Sequence, residues 1–244
     1  MHYVTISGIG SRIFCPAAKA MLGARPQITG CSSKPFCTDI GPAFLGVISL
    51  SASVTGKSST SASAGGRRVF ECIFKLLASD HDNEYMMIDT TIVRAHQHSA
   101  GARKNGEQAI GRSRGGLTTK IHALVDALGN PVHLMLTPGQ AHDLAGAESL
   151  IDSADPEALI GDKAYDADPL IDTLTKRGIT PVIPPKASRK NQRACDFALY
   201  RERNLVERFF NKLKHFRAIA TRYDKLARNF LAGVQLTSAI ILLN

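Results

Sequence analysis

Three acidic residues occupy positions from which their carboxylates could bind a shared metal ion. Asp89 follows the apolar run 85–88, and Asp162 follows a second apolar run, 158–161. Short apolar runs of this kind are typical of buried strands, and open α/β sheets place their functional sites at strand ends. Taken alone, an aspartate in such a position is more often a turn former or a helix cap. The third residue, Glu207, therefore decides the interpretation.

Residues 197–220 predict one long amphipathic helix that carries Glu207. Because successive helical residues are rotated by about 100°, three sets of side chains separate around the axis. One stripe contains Tyr200, Arg203, Glu207, Asn211 and Lys214; a core-facing arc contains Leu199, Val206, Phe209, Phe210, Leu213 and Phe216; a basic flank contains Arg201, Arg208, Lys212 and His215. Glu207 thus borders a buried face and a basic face. The alternative is an exposed helix face on which Arg203 and Glu207 form an ordinary i, i+4 ion pair.

A site built from these three carboxylates would suit phosphodiester chemistry. The carboxylates would repel one another unless cations neutralised them, and oxygen ligands favour Mg²⁺ or Mn²⁺. Two such ions about 4 Å apart can activate a water or a 3′-hydroxyl and stabilise the leaving oxygen. The chain is also basic, with a formal net charge of +9. A basic surface beside such a site favours DNA or RNA as the substrate.

The composition indicates a soluble globular protein. Hydrophobic residues make up 44% and charged residues 21% of the 244 residues, which is enough for one sizeable domain. The five cysteines show no spacing that suits zinc, so we interpret them as reduced thiols. No apolar stretch approaches the roughly 20 residues of a membrane helix, and the first twenty residues lack a signal-peptide segment. We therefore expect a cytoplasmic protein.

Residues 1–66 differ in composition from the rest of the chain. Residues 1–64 contain a single acidic residue, Asp39, and a Ser-rich low-complexity run at 51–64. Such a segment cannot easily bury enough apolar surface to offset its chain entropy, so we expect it to be poorly ordered. The Gly56-Lys57-Ser58 tripeptide resembles the end of a phosphate-binding loop, but that loop needs glycine where Ser51 stands. We interpret the tripeptide as part of a flexible linker.

From residue 67 onward, the periodicity predicts alternating helices and strands. Helices are expected at 69–78, 142–153, 168–177 and 227–243, and strands at 85–88, 158–161 and 180–183. Segments 120–127 and 131–137 alternate apolar and polar residues around Gly129-Asn130, which predicts a β-hairpin. A Gly- and Arg-rich connection covers 100–116. The order indicates an α/β domain over residues 67–244.

Four residues of the predicted long helix reproduce a family signature. Tyr200, Arg203, Glu207 and Lys214 are separated by two, three and six residues, and so resemble the Y-(2)-R-(3)-E-(6)-K signature of insertion-sequence DDE transposases. Residues 87–91 and 161–166 are similar to the first and second aspartate regions of that family, and residues 137–143 to the segment between them. The resemblance runs from about residue 69 to residue 244.

The resemblance implies an RNase H-like fold, a mixed sheet flanked by helices, with Asp89 and Asp162 on neighbouring strands and Glu207 on the following helix. It implies that these three residues bind two Mg²⁺ or Mn²⁺ ions. The residues expected to support the site or contact DNA are Tyr200, Arg203, Lys214, Lys163 and Tyr165, with Arg208 and Lys212 on the basic flank. The implied function is a nucleoid-associated transposase that cuts and rejoins double-stranded DNA at the terminal inverted repeats of a bacterial insertion sequence. A homodimer would bring two such ends together.

Two features leave local alternatives open. His96-Gln97-His98 could be taken for a metal-binding pair, but without a third ligand we interpret it as a polar loop or a DNA-facing segment. Family members usually begin with a helical region that contains Trp and Arg, whereas this chain has no Trp. We hypothesise that residues 1–66 are translated from a shifted or rearranged reading frame. Translation of the upstream DNA in the other two frames tests this, and the hypothesis fails if neither frame encodes a Trp- and Arg-rich helix.

Two alternative functions also follow from the sequence. The chain could be a catalytically silent or truncated remnant that only binds DNA, or an RNase H-like nuclease with no role in transposition. Strand cleavage in the presence of Mn²⁺ separates an active enzyme from the remnant. Strand joining separates a transposase from a nuclease that only hydrolyses DNA.

Overall fold

The computed structural model describes residues 64–101 and 108–244. Expectations for residues 1–63, including the Ser-rich linker, lie outside these residues. The helices are α1 (Ala64–Leu77), α2 (Ala147–Ile151), α3 (Asp168–Lys176), α4 (Phe197–Tyr200), α5 (Asn204–His215), α6 (Arg217–Ala220) and α7 (Ala227–Leu242). The strands are β1 (Tyr85–Ala95), β2 (Gly111–Ser113), β3 (Gly116–Asp126), β4 (Pro131–Pro138), β5 (Ala158–Gly161), β6 (Thr180–Val182) and β7 (Thr221–Arg222). Short 3₁₀ turns cover Gln97–Gly101, Asp143–Gly146, Lys163–Tyr165 and Arg201–Arg203.

The strands form one mixed sheet in the order β4-β3-β1-β5-β6. Strands β1, β3 and β4 are antiparallel neighbours, whereas β1, β5 and β6 run parallel. The predicted hairpin joins β3 to β4, with Gly129 at a φ of +87° that glycine adopts without strain. Three antiparallel strands followed by two parallel ones give the predicted RNase H-like topology, which is confirmed.

Each face of the sheet carries its own hydrophobic cluster. Met87 and Ile160 face a cluster formed with α1, α5 and α7, whereas Ile88 and Leu159 face a second cluster formed with α2 and α3. This division follows from the alternation of side chains along a strand. None of the helices within residues 64–101 and 108–244 has the length and apolar character that crossing a membrane requires.

Strand β1 is much longer than the apolar run that predicted it. It has 11 residues, and Asp89 therefore lies in its middle instead of at its end. Its second half was missed because Asp89 and two threonines interrupt the apolar run. Pairing with β3 nevertheless continues from Met86 to Arg94, so the neighbouring strand decides the length.

The predicted helix 197–220 is not continuous. A 3₁₀ turn joins α4 to α5, and α5 ends where Phe216 adopts an extended conformation. Phe216 was expected to face the core but is 38% exposed, so that expectation is wrong. After the break, Ile219 is buried and β7 pairs with the end of β1. Tertiary packing thus overrides the helical periodicity, and strands as short as β2 and β7 leave no periodic signal in the sequence.

Candidate active site

The first two predicted carboxylates lie next to each other on parallel strands. Ile88 of β1 pairs with Gly161 of β5, and Asp89 and Asp162 are the residues that follow in each strand direction. Met87 and Ile160, two residues earlier, both face the cluster that includes α5. Alternation therefore turns both aspartates toward the helix that carries Glu207.

Asp162 combines a structural role with its place in this site. Its carboxylate Oδ1 accepts a hydrogen bond of 2.7 Å from the backbone N–H of Lys163 and so caps the following 3₁₀ turn. The alternative that a strand-end aspartate is a cap thus describes a real contact. The cap involves Oδ1, and it does not exclude a functional role for the carboxylate.

Arg203 connects the third carboxylate to the first. Its guanidinium donates to Asp89 Oδ2 at 2.9 Å and to Glu207 Oε1 at 2.5 Å. The i, i+4 ion pair considered from the sequence is therefore present, and the same arginine reaches across to β1. Asp89 and Glu207 thus bind the two terminal nitrogens of one guanidinium.

Burial and neighbouring carboxylates both act on the pKa of Asp89. Burial raises the pKa of Asp89, and the nearby Asp162 and Glu207 carboxylates raise it further, against the opposing effects of the Thr90 N–H and Arg203. Burial also raises the pKa of the Tyr200 phenol, and the nearby Asp162 raises it further, whereas Arg203 lowers it. Arg203 lies 6.0 Å from the centre of the Tyr200 ring. A cation bound beside Asp89 would relieve this repulsion.

The donor set fits a hard divalent cation. Carboxylate oxygens are the ligands that Mg²⁺ and Mn²⁺ prefer, and the mutual repulsion at Asp89 favours their neutralisation. In the part of the chain that the structure describes, no three acidic, histidine or cysteine side chains converge as a ready-made metal cluster. Arg203 supplies the positive charge between Asp89 and Glu207 instead.

The other predicted residues fall into two groups. Lys163, Arg208 and Lys212 are exposed, and Lys214 is half-buried on α5. Tyr165 is 1% exposed, so it cannot contact DNA and can only support the site from within. Its ring packs beside Gly161, where an added Cβ would lie 3.3 Å from the ring.

His96 and His98 lie side by side after β1. Their rings stack 5.0 Å apart, and His96 also packs against Tyr223 at 4.8 Å. Both lie at the 3₁₀ turn that follows β1. Their placement agrees with the interpretation as a polar turn, and contact with DNA stays a prediction.

Sequence reasoning missed an ion pair that contacts Thr90, the residue after Asp89. Lys120 of β3 donates to Asp143 Oδ1 at 2.6 Å, and the Thr90 hydroxyl donates to the same oxygen at 2.9 Å. Residues 137–143 were noted only as a similar segment. Lys120, a charged residue within a strand of alternating pattern, indicated that a buried partner was needed. Local spacing could not show that the partner is Asp143.

A second missed contact fastens the connection between β6 and α4. The buried Asp166 accepts hydrogen bonds from Arg189 Nε at 2.6 Å, Arg193 at 2.7 Å and the Lys186 backbone N–H at 2.8 Å. Asp168 pairs with the same two arginines. The segment after Asp162 is thereby tied to the segment that leads to Tyr200.

Comparison with known proteins identifies the family of the chain. Residues 81–242 match the Transposase DDE domain family. The chain is 40% identical over 127 residues to a protein assigned as the transposase of insertion sequence element IS6501 from Brucella ovis, covering 51% of this chain and 98% of that relative. It is 30% identical over 156 residues to a protein assigned as the transposase of IS402 from Burkholderia cepacia, covering 59% and 71%.

Among solved structures, the catalytic core domain of BIV integrase aligns with 64% of this chain and 82% of its own chain, at a TM-score of 0.38 and 15% identity. The family match covers most of the described domain and contains Asp89, Asp162 and Glu207. The chain belongs to the Transposase DDE domain family and is an insertion-sequence DNA transposase.

Proposed function

We propose that Asp89, Asp162 and Glu207 hold two divalent cations, Mg²⁺ or Mn²⁺, in this metal-dependent transposase. The observation that carries the proposal is that carboxylates from three separate segments lie near enough for Asp162 and Glu207 both to raise the pKa of Asp89. Asp89 and Asp162 follow a paired position on parallel strands, and Arg203 joins Asp89 to Glu207. Bound between these carboxylates, two ions would activate a water or a 3′-hydroxyl and stabilise the leaving oxygen.

Arg203 has a different role in the two states of the site. Without cations, its guanidinium offsets the repulsion between Asp89 and Glu207. If these carboxylates held metal, the Arg203 guanidinium would be free to bind a DNA phosphate in the fork geometry that arginine favours. Tyr200, beside Asp162 and Arg203, positions that guanidinium through its ring.

We further infer that the exposed basic residues near the site contact the DNA backbone. Lys163 lies directly after Asp162, and Arg208 and Lys212 lie on the exposed side of α5. Lys214, half-buried on the same helix, is a further proposed contact. Such contacts fix the position of DNA without reading its sequence. The substrate is double-stranded DNA that carries the terminal inverted repeats of the element, and two copies of the chain hold two ends together.

Metal-dependent cleavage and joining test the proposal. The purified full chain is incubated with Mn²⁺ and labelled DNA that carries the element's terminal repeats. We expect nicking and strand joining by the native chain, and loss of both in Asp162→Asn and Glu207→Gln. Asp172→Asn, an exposed change on α3, is the matched control and should keep full activity. The proposed ligand set is wrong if a variant that folds normally still cleaves at the native rate.

Measuring Mn²⁺ binding and DNA binding separately shows which of the two a substitution affects. Calorimetric titration should show two binding events in the native chain and weaker or missing events in Asp162→Asn and Glu207→Gln. Electrophoretic mobility shifts without metal should stay near native for both variants, because the removed charges do not contact phosphate. A single bound ion in the native chain would contradict the two-ion proposal.

A further inference from the structure

Thr90 lies between two carboxylates that are on opposite faces of the sheet. Its backbone N–H donates to Asp89 Oδ1 at 2.8 Å. Its side chain points the other way, as alternation along a strand requires, and its hydroxyl donates to Asp143 Oδ1 at 2.9 Å. One residue therefore connects Asp89 to an acidic residue that is outside the proposed ligand set.

Asp143 is itself held firmly. It begins the 3₁₀ turn Asp143–Gly146, and Lys120 Nζ donates both to its Oδ1 at 2.6 Å and to the Ala141 carbonyl at 2.7 Å. The Lys120 side chain is 9% exposed, so the pair is shielded from solvent on the lysine side. Burial alone would raise the pKa of Asp143, but hydrogen bonds from Lys120 and Thr90 hold it below the usual value.

The covalent geometry links this anchor to the orientation of Asp89. The N–H that binds Asp89 Oδ1 belongs to the peptide between Asp89 and Thr90. Fixing the Thr90 side chain on Asp143 limits rotation of that peptide, and a restrained peptide restrains the carboxylate that it binds. Metal ligands depend on such outer hydrogen bonds for their orientation.

We propose that Thr90, Asp143 and Lys120 are positioning residues that hold the Asp89 carboxylate in its metal-binding orientation. The inference rests on the proposed role of Asp89 as a ligand. Neither Lys120 nor Asp143 contacts the ion or the DNA in this scheme. Their effect reaches the site only through Thr90.

Substitutions at Thr90 test the proposal without a change of charge. Thr90→Val keeps the shape and removes the hydroxyl, whereas Thr90→Ser keeps the hydroxyl. Thr118→Val is the matched control, since this β3 threonine also donates one side-chain hydrogen bond, to Ser113, but pairs with Arg94, far along β1 from Asp89. Mn²⁺ affinity of the full chain is measured by calorimetry, and stability by urea unfolding.

We expect Thr90→Val to bind Mn²⁺ about tenfold more weakly than the native chain, as for other residues that orient metal ligands. Thr90→Ser and Thr118→Val should bind within about twofold of native. A second variant, Lys120→Met with Asp143→Leu, removes both charges of the pair and leaves the net charge unchanged. It should reproduce the tenfold loss even if Thr90→Val folds poorly.

Asp89→Asn separates failure of this inference from failure of the proposed ligand set. If Asp89→Asn binds Mn²⁺ like the native chain, Asp89 is not a ligand and both proposals fail. If Asp89→Asn loses binding while Thr90→Val and the double variant bind normally, only the positioning role is overturned. Equal losses in Thr90→Ser and Thr90→Val also overturn it, because the hydroxyl would then be irrelevant.

Discussion

Arg203 and Asp89 are 114 positions apart in the sequence and form an ion pair of 2.9 Å. The same guanidinium binds Glu207, so any cation that enters between the two carboxylates competes with it. We predict that Arg203→Met binds Mn²⁺ roughly fivefold more tightly than the native chain, which corresponds to about 1 kcal/mol for a partly solvent-screened ion pair. Calorimetric titration measures this change.

DNA cleavage by Arg203→Met should fall, because the residue that would bind phosphate is lost. Metal affinity and activity are thus expected to move in opposite directions. Arg201→Met removes the same charge from an exposed neighbouring position and should change neither quantity markedly. Weaker Mn²⁺ binding in Arg203→Met would show that the arginine orders the carboxylates and does not compete for them.

Asp166→Asn should weaken the connection between β6 and α4. The Asp166 side chain is 1% exposed and binds two arginines, so removing its charge leaves both of them without a buried partner. We expect a loss of about 2 kcal/mol in the free energy of unfolding, measured with urea. Asp168→Asn is the control, since this carboxylate shares the same arginines but is 65% exposed, and its loss should be clearly smaller. Equal losses would mean that burial of Asp166 contributes nothing.

His122 should make the stability depend on pH in a defined window. Burial and the nearby Lys120 together lower its pKa from 6.5 to about 4, against the opposing effect of Asp143. Between these values the unfolded chain binds more protons than the folded chain, so stability falls as the pH falls from 6.5 toward 4. The full contribution is about 3 kcal/mol.

Urea unfolding between pH 7 and pH 4 measures this dependence. His122→Gln retains a nitrogen near the Thr137 hydroxyl, which His122 Nε2 approaches at 2.7 Å, and should flatten the curve. Some slope should remain, because burial also lowers the pKa of His133. An unchanged slope in His122→Gln would assign the pH dependence to other groups.

The exposed cations of α5 should set the salt dependence of DNA binding. Arg208→Ala and Lys212→Ala are each expected to reduce the slope of log affinity against log salt concentration by about one and to weaken all DNA sequences alike. Fluorescence anisotropy at several salt concentrations gives the slope. Lys176→Ala, an exposed change on α3, is the control, and an equal effect there would mean that affinity follows net charge instead of the α5 surface.

The elements that local sequence predicted well are those with an uninterrupted pattern. Strand β5 occupies the predicted run 158–161. This short apolar run is buried along its whole length, as the sequence pattern indicates. Helix α7 follows the prediction to within one residue at its end. The three carboxylates could be proposed as a site because Asp89 and Asp162 follow apolar runs and Glu207 lies on an amphipathic stretch. Their role as metal ligands stays a prediction.

Contacts between distant residues could not be predicted in this way. Arg222 belongs to a basic stretch that suggests an exposed cation, yet it is fully buried and donates to the Thr119 hydroxyl at 2.7 Å. Asp166 looked like an ordinary residue of the second aspartate region, although its partners lie 20 to 27 positions later. In both residues the deciding partner comes from another element, which periodicity does not record.

Strand β1 has one more consequence for how the protein tolerates change. Arg203 fastens the beginning of the Glu207 segment to Asp89, and β7 fastens its end to Arg94 on the same strand. The segment 203–221 is therefore held to β1 at both of its ends, at Asp89 and at Arg94. An insertion or deletion within 216–220 would strain either the pairing of β7 with β1 or the placement of Glu207, even though none of those residues lies at the site. We expect length in this short connection to be far less variable than its side chains.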